Sequence, residues 1–145
     1  MKNKIYFFNE DIVFNLLYRK KIKQWLINVV ASENKSLENL NYIFCSDEYL
    51  LKLNIEYLKH YTLTDIITFN NSNNKDIING DIFISITRVK ENAIKYNQIF
   101  YDELLRVIVH GVLHLCGYKD KLLKDRKVMR EKEDYYLLGY KNLWN

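Results

Sequence analysis

The sequence predicts an α+β fold, one domain in which a mixed sheet of about four strands is packed by about five helices. Three observations point there. Short β-branched and aromatic runs interleave with helical stretches without a strict βαβ repeat. One stretch late in the chain is apolar around most of a helix, and nothing across residues 1–145 reads as a linker or an internal repeat.

The first element is Ile5 to Phe8, an aromatic and β-branched strand. A helix follows from about Tyr18 to Ser32, with Ile22, Trp25, Leu26 and Val29 at helical spacing. Leu37 to Cys45 reads as the second strand. Ser46 is then an N-cap, with Asp47 and Glu48 in the acidic first turn of a helix through Tyr57 whose apolar contacts come from Leu50, Leu51 and Leu53. Thr64 and Asp65 introduce a short strand, Ile66 to Phe69, and the polar tract Asn70 to Asp76 is a surface loop. Ile77 to Ser85, containing Gly80 and Asp81, is the fourth strand. Thr87 to Asn97 forms a short helix, about Tyr101 to Cys116 a longer one, and about Leu122 to Leu138 a final amphipathic one.

A chain of 145 residues can bury a core without disulfides or a structural metal, and 48% hydrophobic with 28% charged residues excludes a disordered or fibrous protein. No apolar run approaches the roughly 20 residues needed to cross a bilayer. The start MKNKIYFFNEDIVF has no signal-peptide core or small-residue cleavage site, so a cytoplasmic protein with no membrane partner is the expectation. The two cysteines, Cys45 and Cys116, lack CxxC spacing and read as buried free thiols. Lys and Arg number 22 against 18 Asp and Glu, a net charge of +4 and a pI near 8.9. That excess suits a polyanionic partner such as RNA. A Lys-, Asn-, Ile- and Tyr-rich, proline-free composition drawn from an A+T-rich genome would produce it equally.

Chemistry concentrates in Tyr101 to Asp120, YDELLRVIVHGVLHLCGYKD. Its many apolar residues place the helix at the centre of the domain. Arg106, His110 and His114 recur every four residues as one polar stripe, with Glu103 a turn earlier, and burying such groups without partners costs several kcal/mol. Residues four apart have Cβ atoms roughly 5–6 Å apart, so both imidazoles can reach one ion at about 2.0–2.1 Å. Gly117 can end the helix in the left-handed conformation, with Tyr118 packing back on the last turn. The reversal can return Asp120 toward the histidines and complete three ligands, with a fourth position open as catalytic zinc requires. Two helical histidines alone are as readily hydrogen-bonded core or surface residues. Gly117 and Asp120 shift the balance to a metal, and the only other histidine is His60.

Helical zinc peptidases carry H-E-x-x-H, in which the Glu is the general base. Gly111 stands in that place and cannot move a proton. Phosphodiester cleavage asks instead for an ion that polarises a phosphoryl oxygen and supplies hydroxide, with cations nearby. Arg106 can orient a ligand from behind or pair with Glu103. Lys121, Lys124, Arg126 and Lys127 form a basic cluster that can track phosphates or simply make a solvated helix face. Thr64, Asp65 and Asp81 read as structural, capping turns or satisfying backbone donors.

At these residues the sequence resembles the YbeY-type rRNA maturation endoribonucleases, over about Leu53 to Glu133. The family signature H-G-x-L-H-L-x-G-Y-D-H is met by His110-Gly111-Val112-Leu113-His114-Leu115-Cys116-Gly117-Tyr118-Lys119-Asp120, except at its last two positions. Leu53, Asn54 and Tyr57, then Thr64-Asp65-Ile66-Ile67-Thr68-Phe69, Gly80-Asp81-Ile82, Glu103-Leu104-Leu105, Met129 and Glu133 also fall in register. The resemblance implies a zincin-like metal site on the central helix and a zinc-dependent endoribonuclease that prefers single strands. It further implies work in ribosome biogenesis on the ribosomal small subunit, chiefly 16S rRNA 3′-end maturation, and in ribosome quality control.

Two departures stand out. The third family ligand is His, whereas Asp120 is a carboxylate that should depress the pKa of bound water less and make Mn²⁺ more acceptable beside Zn²⁺, one ion per chain. The family's arginine near Tyr57 is Leu58 here, so Lys59 or His60 is the candidate to supply positive charge or proton transfer, though each also reads as a solvated helix-end residue. His110, His114 and Asp120 would act in catalysis through water on the metal, and no small organic cofactor is expected. Three alternatives stay open or are weighed: an rRNA-binding factor with a structural metal, a zinc peptidase, and a two-His-one-carboxylate iron oxygenase, the last disfavoured by missing jelly-roll patterning.

Overall fold

The computed structural model describes residues 3–144. Alternating apolar residues build four strands: β1 (Lys4–Asn9), β2 (Ser36–Cys45), β3 (Ile66–Asn70) and β4 (Ile77–Ser85). They form one sheet in the order β1-β2-β4-β3, with β1–β2 and β2–β4 parallel and β3–β4 antiparallel, so the sheet is mixed as expected. Five helices accompany them: α1 (Arg19–Ser32), α2 (Asp47–Leu58), α3 (Ile86–Lys95), α4 (Phe100–Leu115) and α5 (Leu123–Asn142).

Period-two alternation sends Leu40, Tyr42 and Phe44 of β2 and Ile78, Ile82 and Ile84 of β4 into the main core against α1, α3 and α4, with α5 packed on α1 and α4. A smaller cluster of Cys45, Leu50 and Ile67, joined by Tyr49, Leu53, Phe69 and Phe83, fixes α2 on the sheet. The Ser46 hydroxyl accepts from the Tyr49 amide at 3.2 Å, as an N-cap should. Asn70 and Asn74 form Asx turns through the polar loop, accepting from Ser72 and Asp76 at 2.9 Å each.

Boundaries differ from expectation mainly at two helices. The short helix α3 stops at Lys95, because Asn97 is left-handed with φ 54°. The last helix, α5, runs on to Asn142. Tyr136 and Tyr140 carry it past Leu138, with the Tyr140 ring edge-on to Trp25 at 5.1 Å and the Trp25 indole donating to the Tyr136 carbonyl at 2.8 Å.

Both cysteines are free, Cys45 buried and Cys116 half-buried. Burial pushes each thiol up to about 12, so almost no thiolate exists near neutrality. Folded protein at pH 8 should resist iodoacetamide and take up two equivalents only after denaturation, read by mass spectrometry. Prompt labelling of the folded chain would contradict this burial.

Candidate metal centre

The centre is built where α4 ends. Its exit is a Schellman turn: the Gly117 amide donates to the His114 carbonyl and the Tyr118 amide to the Leu113 carbonyl, each at 3.0 Å, with Gly117 at φ +110°. A side chain at Gly117 would be strained there whatever the space around it. Five residues after the end of the helix, Asp120 comes back over the last two turns of α4. Its Oδ2 lies 3.1 Å from His110 Nε2 and 3.1 Å from His114 Nε2.

The other nitrogen of each ring is held from behind. His110 Nδ1 faces Glu133 Oε2 at 2.6 Å, and His114 Nδ1 faces the Tyr118 carbonyl at 2.9 Å. Both partners are acceptors, so each Nδ1 carries the hydrogen, and in its neutral form each ring turns an Nε2 lone pair toward the Asp120 carboxylate. Three converging acceptors repel one another unless a cation lies among them. Their ligand atoms all fall within 4.8 Å of one another, and tetrahedral donors about 2.0–2.1 Å from one ion stand about 3.3 Å apart. The donor set and its spacing therefore fit a divalent metal. Burial works against a charged His110, yet the Glu133 hydrogen bond and charge, with Asp120 and Asp65 nearby, hold its pKa above the ordinary imidazole value.

Glu133 is 5% exposed and needs its partners. Arg106 Nη1 donates to its Oε1 at 2.9 Å, while Arg106 Nη2 reaches Asp134 at 2.7 Å. Arg106 thus supports a ligand at one remove, but it pairs with α5 and not with Glu103, correcting one of the two options drawn from the sequence. Arg106 also lines the cleft, but its guanidinium turns to the α5 carboxylates, and Glu103 beside it has its carboxyl pushed up by burial.

The cleft before the three candidate ligands holds about 820 Å³. His60, Asp65, Arg130 and Lys121 line it beside His110, His114 and Asp120. Lys59 does not line it. It ends α2 in the left-handed conformation with φ 57°. Of the basic cluster only Lys121 reaches the cleft, and Lys124, Arg126 and Lys127 lie exposed on the first turns of α5. Arg130, unmarked in the sequence, supplies cleft charge from the next turns.

Asp65 has two faces. Its backbone carbonyl accepts from the Ser85 amide at 3.0 Å, a structural role, while its side chain faces the cleft with its pKa raised by burial against the opposing pull of His110. Thr64 bonds the Ile66 carbonyl at 3.3 Å. Asp81 is structural as expected, but its donors are the side-chain amides of Asn41 and Asn71 at 3.0 and 3.1 Å.

Comparison with known proteins agrees with this architecture. A family model described as "Endoribonuclease YbeY" matches residues 5–141. The Endoribonuclease YbeY of Cytophaga hutchinsonii is 54% identical over 130 residues, covering 90% of this chain and 91% of the relative. That of Amoebophilus asiaticus is 50% identical over 138 residues, 95% and 94% of the two chains. Among solved structures, the solution structure of TM1509 from Thermotoga maritima superposes with a TM-score of 0.68 at 30% identity, over 97% of this chain and 91% of that one.

Proposed function

The chain belongs to the YbeY endoribonuclease family, and from that premise we propose that it is a single-strand-preferring, metal-dependent endoribonuclease of the cytoplasm. Its proposed substrate is rRNA on the small ribosomal subunit, where it matures the 16S 3′ end and serves ribosome quality control. One observation carries the chemistry: two Nε2 lone pairs and a carboxylate oxygen converge at the floor of a cleft edged by Arg130, Lys121 and His60.

A divalent ion, Zn²⁺ or Mn²⁺, held by His110, His114 and Asp120 would polarise a phosphoryl oxygen and lower the pKa of water there. The protein's part is to hold these donors ready. Glu133 and the Tyr118 carbonyl keep both Nδ1 atoms protonated, so both Nε2 atoms stay available as ligands. Arg130, Lys121 and His60 bring donors and positive charge to a phosphodiester entering the cleft. Asp65, whose raised pKa makes it a better proton carrier near neutrality, faces the same space.

The test is cleavage of a single-stranded RNA bearing the 16S 3′ sequence, beside a duplex of the same sequence and a casein control. The single strand should be cut in preference to the duplex, cutting should stop with EDTA, and Zn²⁺ or Mn²⁺ should restore it. No chelator-sensitive RNA cleavage at any metal supply, or casein hydrolysis in its place, would overturn the proposal.

A further inference from the structure

Each imidazole is aimed by an acceptor on a different element, and both elements are tied to one carboxylate outside the cleft. Glu33 stands at the end of α1 with its side chain only 10% exposed. Its Oε1 accepts from the Tyr118 hydroxyl at 2.7 Å. Its Oε2 accepts from the Tyr136 hydroxyl and from Lys132 Nζ, the latter at 3.3 Å. Burial opposes charge on Glu33, but the Tyr136, Tyr118 and Lys132 donors together hold its pKa below the usual carboxyl value.

The two ties lead to the two histidines. Tyr118 spans the α4–α5 turn: its hydroxyl goes to Glu33 and its carbonyl to His114 Nδ1. The neighbouring Gly117, Lys119 and Lys121 are exposed, whereas the Tyr118 ring packs against the main core. On α5, Lys132 and Tyr136 flank Glu133, the acceptor for His110 Nδ1. Ligand geometry must hold to about 0.5 Å for a site to work, which a surface turn cannot manage alone.

We propose that Glu33 is a positioning residue for the metal centre, fastening through Tyr118 and through Lys132 and Tyr136 the two acceptors that aim His114 and His110. The inference rests on the three-ligand metal site proposed above. Its readout is zinc affinity, which needs no RNA cleavage.

Zinc dissociation constants would be measured by competition with a chromophoric chelator for the wild type, Glu33→Ala, Glu33→Gln, Tyr118→Phe and the Glu33→Ala/Tyr118→Phe pair. Val89→Ala, on the buried face of α3, is the control for general destabilisation. Glu33→Ala and Tyr118→Phe should each weaken zinc binding about tenfold, the low end for loss of an outer hydrogen bond. The pair should bind no more weakly than Glu33→Ala, because the Tyr118 hydroxyl acts through Glu33 and that tie is already lost. Glu33→Gln keeps an oxygen for Tyr118 and should recover most of the affinity, while Val89→Ala should lower the thermal midpoint at unchanged affinity. Wild-type affinity in Glu33→Ala, or an equal loss in Val89→Ala, overturns the role. Should Glu33→Ala fail to fold, Tyr118→Phe decides alone, since it removes one hydroxyl. A wild type that binds no divalent metal overturns the three-ligand site together with this role, whereas tight wild-type binding matched by the variants overturns Glu33 only.

Discussion

His114→Ala is expected to lower metal-dependent RNA cleavage by about a thousandfold, equivalent to roughly 4 kcal/mol of transition-state stabilisation. Two donors remain after the change, and neither His110 nor Asp120 can complete a three-ligand site. The cost to the fold should be small. His114 is 28% exposed, and its deletion removes one hydrogen bond, to the Tyr118 carbonyl, worth about 1 kcal/mol. Single-turnover cleavage, elemental analysis and a thermal melt on the same sample separate the two effects. A folded variant that loses both metal and cleavage fits a catalytic ion. A variant whose melting point falls steeply while cleavage persists would make the ion structural and the protein an rRNA-binding factor.

Gly111→Glu is expected to unfold the protein or to cost several kcal/mol, a large part of the 5–15 kcal/mol that holds a domain together. The change would restore the peptidase motif in sequence but not in space. Residue 111 follows His110 by about 100° around α4, which turns it from the cleft to the sheet. A Cβ there would lie 2.9 Å from Ile82 Cδ1 and 3.0 Å from Ile66 Cδ1. Ile82 Cγ2, also at 3.0 Å, must shift as well, so overpacking at Gly111→Ala is offset only in part by better helix propensity and the net cost should be about 1 kcal/mol. A glutamate would leave a carboxylate buried without a partner. Denaturant midpoints of both variants provide the check, and a wild-type midpoint for Gly111→Glu would refute the account. Sequence marks Gly111 as a missing base and a signature match, and the structure gives it a positive duty as the close contact of α4 with β3 and β4.

How much was legible depended on separation along the chain. His110, His114, Gly117 and Asp120 sit within one helix end and its turn, where helical spacing and a left-handed glycine determine the geometry locally, so their convergence could be read from spacing alone. The strands could be read because β-branched and aromatic residues alternate over them. Glu133 was visible only as a matching position, because nothing local says that α5 will set it behind His110, 23 residues away. The same holds for Arg106, whose near neighbour Glu103 was the obvious local partner. Tertiary packing gave it Glu133 and Asp134 instead. Glu33 carried no signal at all, being one acidic residue at a helix end, 85 positions from Tyr118. The length of α5 was underestimated because Tyr136 and Tyr140 earn their burial against Trp25, a contact that an apolar periodicity among charged residues does not announce.

The spacing of the centre also sets an order of assembly. Asp120 closes on His114 across 6 residues and on His110 across 10, and the Tyr118 carbonyl reaches His114 across 4, loops whose closure costs little entropy, whereas Glu133 reaches His110 across 23 and Glu33 reaches Tyr118 across 85. The three donors therefore converge by local geometry once α4 and its exit turn form, whereas the more distant supports wait for other elements. Grip then tightens as α1 and α5 dock. An ion taken up by these donors would then stabilise the folded chain over the unfolded one, so that metal supply and folding would be linked.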